Sequence, residues 1–370
     1  MSTRGRITAA VADSTGAPFT IAEVEIDAPR ADEALVRIDA VGLCHADLQA
    51  RTGALPVPAP LVAGHEGTGI IEEVGSSVTA LRPGDRVVLT FDSCGRCERC
   101  RAGAPTQCRH FVSRNFTAGT REDGTPRLWR GNRPVNGNFF GQSAFATHAL
   151  VTERNAVVVD SELPAHLLAP FGCAVQTGAG NVLNVLAPPA AAPVVVIGAG
   201  AVGLSAVMTA ALEKRTVVAV DTRDSRLDLA LKVGATHVVN AAREETDEAI
   251  GRLLGGAAPY ILESSGSPTA LRAGIRALAT GGILAVAGTR QAGDTIPLDV
   301  MDLVNGSKRL IGVVEGAARP HELIPQLVAL AERGDLPVEQ LVTTFPLTDI
   351  AASIEAVESG EVVKPVLLPV

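Results

Sequence analysis

The sequence predicts an α/β protein in two parts: a β-rich, barrel-like first half and a doubly wound parallel sheet after it. Three observations carry this. Up to about residue 180, short alternating strands are punctuated by Gly and Pro. Beyond it, continuous apolar strands alternate with helical stretches, the pattern of a parallel sheet covered on both faces. A length of 370 residues suits two domains.

In the first half, Glu33–Val41 alternates apolar and polar residues. Gly69–Val74 and Arg86–Thr90 read as further strands, with Pro83-Gly84-Asp85 as the turn between them. Ser113–Gly141, rich in Gly, Asn, Arg and Thr, reads as a long ordered loop anchored by Phe139 and Phe140. In the second half the strands are Val194–Ile197, Val217–Val220, His237–Asn240, Tyr260–Glu263, Ile283–Ala287 and Leu310–Val314. The helices between them are Ala201–Leu212, Ser225–Val233, Glu244–Leu254 and Ala270–Ala279. An amphipathic helix follows from Pro320, then a strand near Leu341–Phe345, a helix Asp349–Ser359 and a last strand Val363–Leu368.

A hydrophobic fraction of 46% supports a sizeable core, and a net charge of −8 argues against nucleic acid or an anionic membrane as partner. The uncharged stretch Leu186–Leu212 is long enough to span a bilayer. It carries Pro188, Pro189 and Pro193 and three glycines, so strand–turn–helix fits it better. The N-terminus shows no apolar run or cleavage pattern, so a cytoplasmic protein with reduced thiols is expected.

Val194–Ile197 runs into Gly198-Ala199-Gly200-Ala201-Val202-Gly203 and then a helix. In that context the glycines allow a tight turn, close approach to a pyrophosphate, and close helix–strand packing. The helix N-terminus adds free N–H groups. Asp221, ending the next strand, suits the ribose hydroxyls of NAD and repels a 2′-phosphate. Arg223 and Arg226 are the counter-argument for NADP.

All six cysteines fall in zinc-ligand positions. Cys94-x2-Cys97-x2-Cys100-x7-Cys108 suits a closed, tetrahedral structural zinc site that orders a lobe. Disulfides are disfavoured in a reducing compartment, and the spacing differs from common ferredoxin runs. Cys44, His65 and Cys173 make the three-ligand set of an open, catalytic zinc site. Each alone has a bland reading, since a single free cysteine is more often a small buried hydrophobe. Two neighbouring carboxylates shift the balance: Glu66 adjoins His65, and Asp47 could take the second N–H of a metal-bound imidazole.

With these motifs in view, the chain resembles the zinc-dependent medium-chain alcohol dehydrogenases. The carrying residues are Gly42-Leu43-Cys44-His45-Ala46-Asp47, Gly64-His65-Glu66-Gly67, the four-cysteine lobe, Gly172-Cys173 with Thr177-Gly178, and the glycine turn through Gly203. Phe91-Asp92-Ser93-Cys94, Asn138–Ser143 and Gly312–Gly316 suggest the aryl (benzyl) alcohol dehydrogenases within it. The resemblance implies a GroES-like catalytic domain over 1–174 (with the zinc lobe at 94–108), a Rossmann NAD-binding domain over 175–314, and a return to the catalytic domain over 315–370. It implies two zinc ions per subunit, NAD(H), a small-molecule substrate and a homodimer or homotetramer. Cys44, His65 and Cys173 would bind catalytic zinc, with Asp47 and Glu66 behind them. His45 and Lys364 would contact the cofactor pyrophosphate, Asp221 and Arg226 the adenosine ribose, and Thr177 and Val202 the nicotinamide. Thr90, Phe139, Phe140, Thr289 and Val314 would surround the substrate channel.

One residue departs from the family pattern. Ala46 stands where the family carries a Ser or Thr that relays the alcohol proton, and alanine can neither donate nor accept one. Gln49 occupies a further relay position that is often histidine. Alcohol–aldehyde interconversion then needs a proton route through water or another hydroxyl such as Thr90. The alternatives are hydride addition to a conjugated C=C or an iminium carbon, which does not use that relay, and a non-catalytic NAD- and zinc-binding protein.

Overall fold

The computed structural model describes residues 4–288 and 293–369. It divides into two compact units. One comprises Met1–Cys173, Arg319–Glu332 and Leu341–Val370; the other comprises Ala174–Ala318 and Arg333–Gln340.

The first unit is built on two sheets. A five-stranded antiparallel sheet runs Leu61–Val62, Gly5–Ala12, Phe19–Ile26, Leu128–Arg130, Arg133–Val135. A seven-stranded sheet runs Ala156–Val158, Arg86–Leu89, Glu66–Val74, Glu33–Gly42, Lys364–Leu368, Val342–Pro346, with His148–Thr152 also pairing to Glu33–Gly42. One core lies against both, including Val11, Val36, Leu89, Phe139 and Phe145, all buried. Register matters for the site. Gly42 pairs with Glu66 on one side and Val366 on the other, which brings the end of the chain beside the Cys44 and His65 segments.

The expected long loop at Ser113–Gly141 contains regular structure. Ser113–Thr117 makes a single wide helical turn, and Leu128–Arg130 pairs with Arg133–Val135 as a hairpin. Gly131 and Asn132 form its two-residue turn, with Gly131 at φ 60°. Arg and Pro interrupt the apolar alternation on these short strands and hide them from a periodicity argument, yet Gly-Asn is a hairpin turn signal in its own right.

The second unit carries six parallel strands with helices between them. In chain order they are Val194–Ile197, Val217–Asp221, His237–Asn240, Ala258–Glu263, Leu278–Val286 and Arg309–Gly312. Across the sheet they run third, second, first, fourth, fifth, sixth. This is the doubly wound dinucleotide-binding order, and its switch point lies beside Val194–Ile197. All four residues of that strand are buried, as a strand covered on both faces requires. Each buried valine contributes roughly 1.5–3 kcal/mol, so a charge at Val196 would break the sheet at its centre. Among the described residues, no helix is long and apolar enough to cross a membrane.

Candidate active site

The ligand atoms of Cys44, His65, Glu66 and Cys173 lie within 4.8 Å of one another. They arrive on three local devices. Cys44 is the N-cap of the helix His45–Thr52, and Asp47, at the third helical position, reaches back to accept from the Cys44 N–H at 2.8 Å. The other Asp47 oxygen accepts from Gly64 N at 2.9 Å and lies 3.0 Å from His65 Nδ1. One buried carboxylate thus fixes the Cys44 backbone, the Gly64 backbone and the imidazole. His65 immediately precedes the strand Glu66–Val74. Cys173 follows the short helical turn Ala169–Gly172, where the Gly172 α-carbon sits so close to the Leu89 carbonyl that a side chain has no room.

His65 Nε2 is buried with no hydrogen-bond partner of ordinary geometry among the described residues. Burial alone would push the imidazolium down in pKa, but the Asp47 carboxylate and the Cys44 thiolate hold it well above its usual value. The Cys44 thiol is pulled well below its usual value, chiefly by a hydrogen bond from Cys173, against its own burial. Two sulfur donors, an open imidazole nitrogen and a field that favours positive charge suit a zinc ion in place of the His65 proton.

Glu66 is deeply buried, and burial pushes its carboxyl up to about 7 against the pull of Lys364. Lys364, expected at the cofactor phosphates, has its ammonium 2.8 and 2.9 Å from the two Glu66 oxygens and 3.1 Å from the Leu43 carbonyl. In this arrangement its charge serves the buried carboxylate. His45 is exposed at the start of its helix, and Ala46 beside it is half-buried. Thr90 is buried and donates to the Gly172 carbonyl at 2.8 Å.

Phe139 and Phe140 are buried against His65, the first edge-on at 5.5 Å and the second stacked at 4.4 Å between ring centroids. Phe116 packs edge-on against Phe140. Gln142, given no role by sequence reasoning, is buried and ties three backbones together. It donates to the carbonyls of His65 (2.9 Å) and Thr90 (3.1 Å) and accepts from Gly67 N (3.0 Å). An amide flanked by aromatics and glycines was the available signal.

The four sulfur atoms of Cys94, Cys97, Cys100 and Cys108 also lie within 4.8 Å of one another. Backbone N–H groups point at them: Cys97 N to Cys94 Sγ at 3.3 Å, and Cys94 N and His110 N to Cys108 Sγ at 3.4 Å each. The Cys97 thiol is pulled down to about 6, first by the backbone of Arg109 and Cys100. This set fits a closed tetrathiolate zinc site. A charged recess beside it, bordered by Arg114, Arg121, Arg154, Asp92 and Cys94, is lined by none of Cys44, His65 and Cys173.

In the second unit, Gly198 takes φ 95°, and a side chain on Gly203 would strike the Gly198 carbonyl. Gly200 caps the helix Ala201–Ala211, with Val202 half-buried in its first turn. Asp221 accepts from Ala199 N at 2.8 Å and Arg223 N at 3.0 Å, so the acidic side chain braces the glycine turn. Arg226 is within electrostatic reach of Asp221, and burial lowers its pKa despite that pull. This cradle fits a dinucleotide: close backbone, an open helix N-terminus and an acid at the end of the neighbouring strand. Thr177 donates to Glu315 at 3.2 Å, and Gln176 donates to the same oxygen at 3.1 Å. Glu315 is a second residue that sequence reasoning left without a role; a charge inside Val313-Val314-Glu315-Gly316 was its signal. Val314 is 47% exposed. Thr289 lies outside the described residues.

Comparison with known proteins agrees with this geometry. Residues 30–161 match the alcohol dehydrogenase GroES-like domain, and residues 201–333 match the zinc-binding dehydrogenase domain. A geraniol dehydrogenase of Castellaniella defragrans is 40% identical over 97% of both chains. The crystal structure of a benzyl alcohol dehydrogenase from Acinetobacter calcoaceticus superposes with a TM-score of 0.95 at 42% identity, covering 99% of this chain and 100% of that one. An alcohol dehydrogenase zinc-binding domain protein from Burkholderia ambifaria gives 0.96 at 44% identity over 99% of each.

The chain belongs to the zinc-dependent medium-chain alcohol dehydrogenase family. It is a zinc-dependent alcohol/aldehyde oxidoreductase.

Proposed function

We propose that the chain interconverts primary allylic or benzylic alcohols and their aldehydes, with NAD(H) as hydride partner. The geraniol and benzyl alcohol dehydrogenases among its relatives support that substrate class. So do the aromatic rings packed around His65. The observation that carries the reading is the convergence of Cys44, His65 and Cys173 around a buried, open imidazole nitrogen.

We assign those three as ligands of the catalytic zinc, Asp47 as the group that orients His65, and the four clustered cysteines as ligands of a structural zinc. Zinc held at the first site supplies a Lewis acid that lowers an alcohol's pKa and polarises a carbonyl. Gly198, Gly200 and Gly203 leave backbone for the pyrophosphate, with His45 also assigned to it; Asp221 and Arg226 receive the adenosine ribose, and Thr177 and Val202 border the nicotinamide. Ala46 supplies no hydroxyl. Thr90 would have to give up its bond to Gly172 to pass a proton on, so water is the favoured route.

The edge strand Arg309–Gly312, beside the exposed Val300, Met301 and Val304, supports a homodimer or homotetramer. Six thiols with none in a disulfide support a cytoplasmic location.

The test is an NAD(H)-coupled screen of geraniol, benzyl alcohol, saturated alcohols and enals, with zinc measured on the same sample. The highest kcat/KM is expected for the allylic and benzylic alcohols, with two zinc ions per chain. Reduction of a conjugated C=C without alcohol turnover would favour the reading that Ala46 opens, and binding without any turnover would make this a non-catalytic protein. Cys173→Ser should lose turnover while the fold stands; unchanged turnover with zinc bound would sink the ligand assignment.

A further inference from the structure

One short segment grips His65 from outside the donor set. The Phe140 ring lies over the imidazole with centroids 4.4 Å apart and planes 19° from parallel. Phe139 meets the imidazole edge-on at 90°. Gln142, two residues on, donates to the His65 carbonyl and accepts from Gly67 N, one residue to each side of Glu66.

This contact has a conformational cost. Phe140 sits at φ 51°, ψ 29°, in the left-handed region that a bulky side chain avoids. The neighbouring chain is anchored to hold it there. The Gly141 carbonyl accepts from Arg127 Nη1 at 2.8 Å and Asn155 Nδ2 at 3.1 Å. Ser143 Oγ accepts from Phe139 N at 2.9 Å. Strain kept in place by several anchors next to a reactive site points to a role there.

Asp47 alone leaves a degree of freedom. An imidazole pinned at Nδ1 can still swing about that hydrogen bond and carry Nε2 away from the two sulfur atoms. A ring stacked on its face removes the swing, and a clamp on its own carbonyl removes the backbone shift that would accompany it. We propose that Phe140 and Gln142 are positioning residues that aim His65 Nε2 at Cys44 and Cys173. The role differs from lining a substrate channel, and it rests on the assignment of a zinc ion to these three ligands.

Phe140→Leu, Phe140→Tyr and Gln142→Met in the full chain test it by two metal readouts. One is the absorption of the cobalt(II)-substituted protein, whose ligand-field bands report the geometry at His65. The other is the rate of zinc release to a coloured chelator. Phe140→Leu and Gln142→Met should shift the bands and speed release from this site by roughly 10–100-fold, the usual effect of losing a group that supports a ligand. Release from the four-cysteine site should keep its parental rate, and Phe140→Tyr should restore the parental bands. Parental bands and release in Phe140→Leu, with only a raised KM for alcohol, would overturn the proposal and leave the ring as a substrate wall. If Phe140→Leu does not fold, as judged by its melting curve, parental bands in Gln142→Met overturn it equally. These readouts do not depend on which alcohol the parent oxidises, so a failed substrate assignment stays separate from a failed brace.

Discussion

The Lys364 ammonium lies between both carboxylate oxygens of Glu66, at 2.8 and 2.9 Å, with the two side chains shut away from water. The carboxylate neighbours the Cys44–His65–Cys173 donor set, and the lysine pairs with it at the edge of the site. Removing one partner of a buried pair costs up to about 3–5 kcal/mol where the other charge is left alone, which for Glu66 holds at a pH high enough to keep it ionised without the lysine. Lys364→Met should therefore lower the urea midpoint strongly, and Lys364→Met combined with Glu66→Gln should recover most of the loss. Equal stability of Lys364→Met and the parent would show that Glu66 is neutralised by something else.

Glu33 makes a second buried pair, with opposite pH behaviour. Burial pushes its carboxyl up, but Arg121 and Arg127 outweigh that and hold it below the usual carboxylate range. The contacts are Arg121 Nε at 2.8 Å, Arg121 Nη2 at 3.0 Å and Arg127 Nε at 3.0 Å. A folded-state pKa below the unfolded one means fewer protons on the folded chain. The stabilisation is present above about pH 4.5 and is lost as pH falls through the folded value. Glu33→Gln should be clearly less stable than the parent at pH 7, and the gap should close in acid. A constant gap from pH 7 to pH 3 would rule this linkage out.

The four-cysteine lobe should fail differently from the catalytic site. Arg114 and Arg154 both bind Asp92, two residues before Cys94, so the lobe is tied to the first unit by ion pairs as well as sulfur. Cys97→Ser should lower Tm and release one zinc per chain while the remaining folded fraction keeps its KM. A loss of turnover at unchanged Tm would place this cluster in the chemistry.

Much of this was legible in the sequence, for physical reasons. Val194–Ile197 and Val217–Asp221 are buried on nearly every residue, so their apolar runs stand out. The cysteine sets are legible because all six thiols stand at metal-ligand spacings, with none left over. Gly5–Ala12 was not, because its small residues show no strict alternation. The contact of Lys364 with Glu66 is not legible, because the two are 298 residues apart and only the pairing of Gly42 with both strands brings them together. Phe140 is placed near the substrate by its position along the chain and Gln142 is given no role, because their contacts with His65 depend on a left-handed residue that no periodicity reveals.

Coenzyme choice should rest on Asp221, but not on Asp221 alone. Its carboxylate also accepts from Ala199 N inside the glycine turn. Asp221→Ser should raise the NADP/NAD ratio of kcat/KM by at least about tenfold, equivalent to roughly 1.4 kcal/mol, because the repulsion of a 2′-phosphate is gone. It should also weaken NADH binding, since the turn loses an acceptor. A changed ratio with parental NADH affinity, read by fluorescence titration, would show that the turn needs no brace.

Ala46 is the residue on which catalytic rate should turn. It occupies the second position of the helix that Cys44 caps, half-buried and one residue from Asp47. A positioned proton donor or acceptor contributes about 10²–10⁴-fold, and alanine contributes none of it. Thr90 is a poor substitute because its hydroxyl already bonds the Gly172 carbonyl. If proton removal limits the reaction, Ala46→Thr should raise kcat for alcohol oxidation by about tenfold or more with KM little changed. It should also weaken the rise of kcat with pH, because the proton would no longer leave by solvent alone. Thr90→Val should then cost little in either background. A rate unchanged by Ala46→Thr, together with a large loss in Thr90→Val, would mean that Thr90 gives up its bond to Gly172 and carries the proton itself.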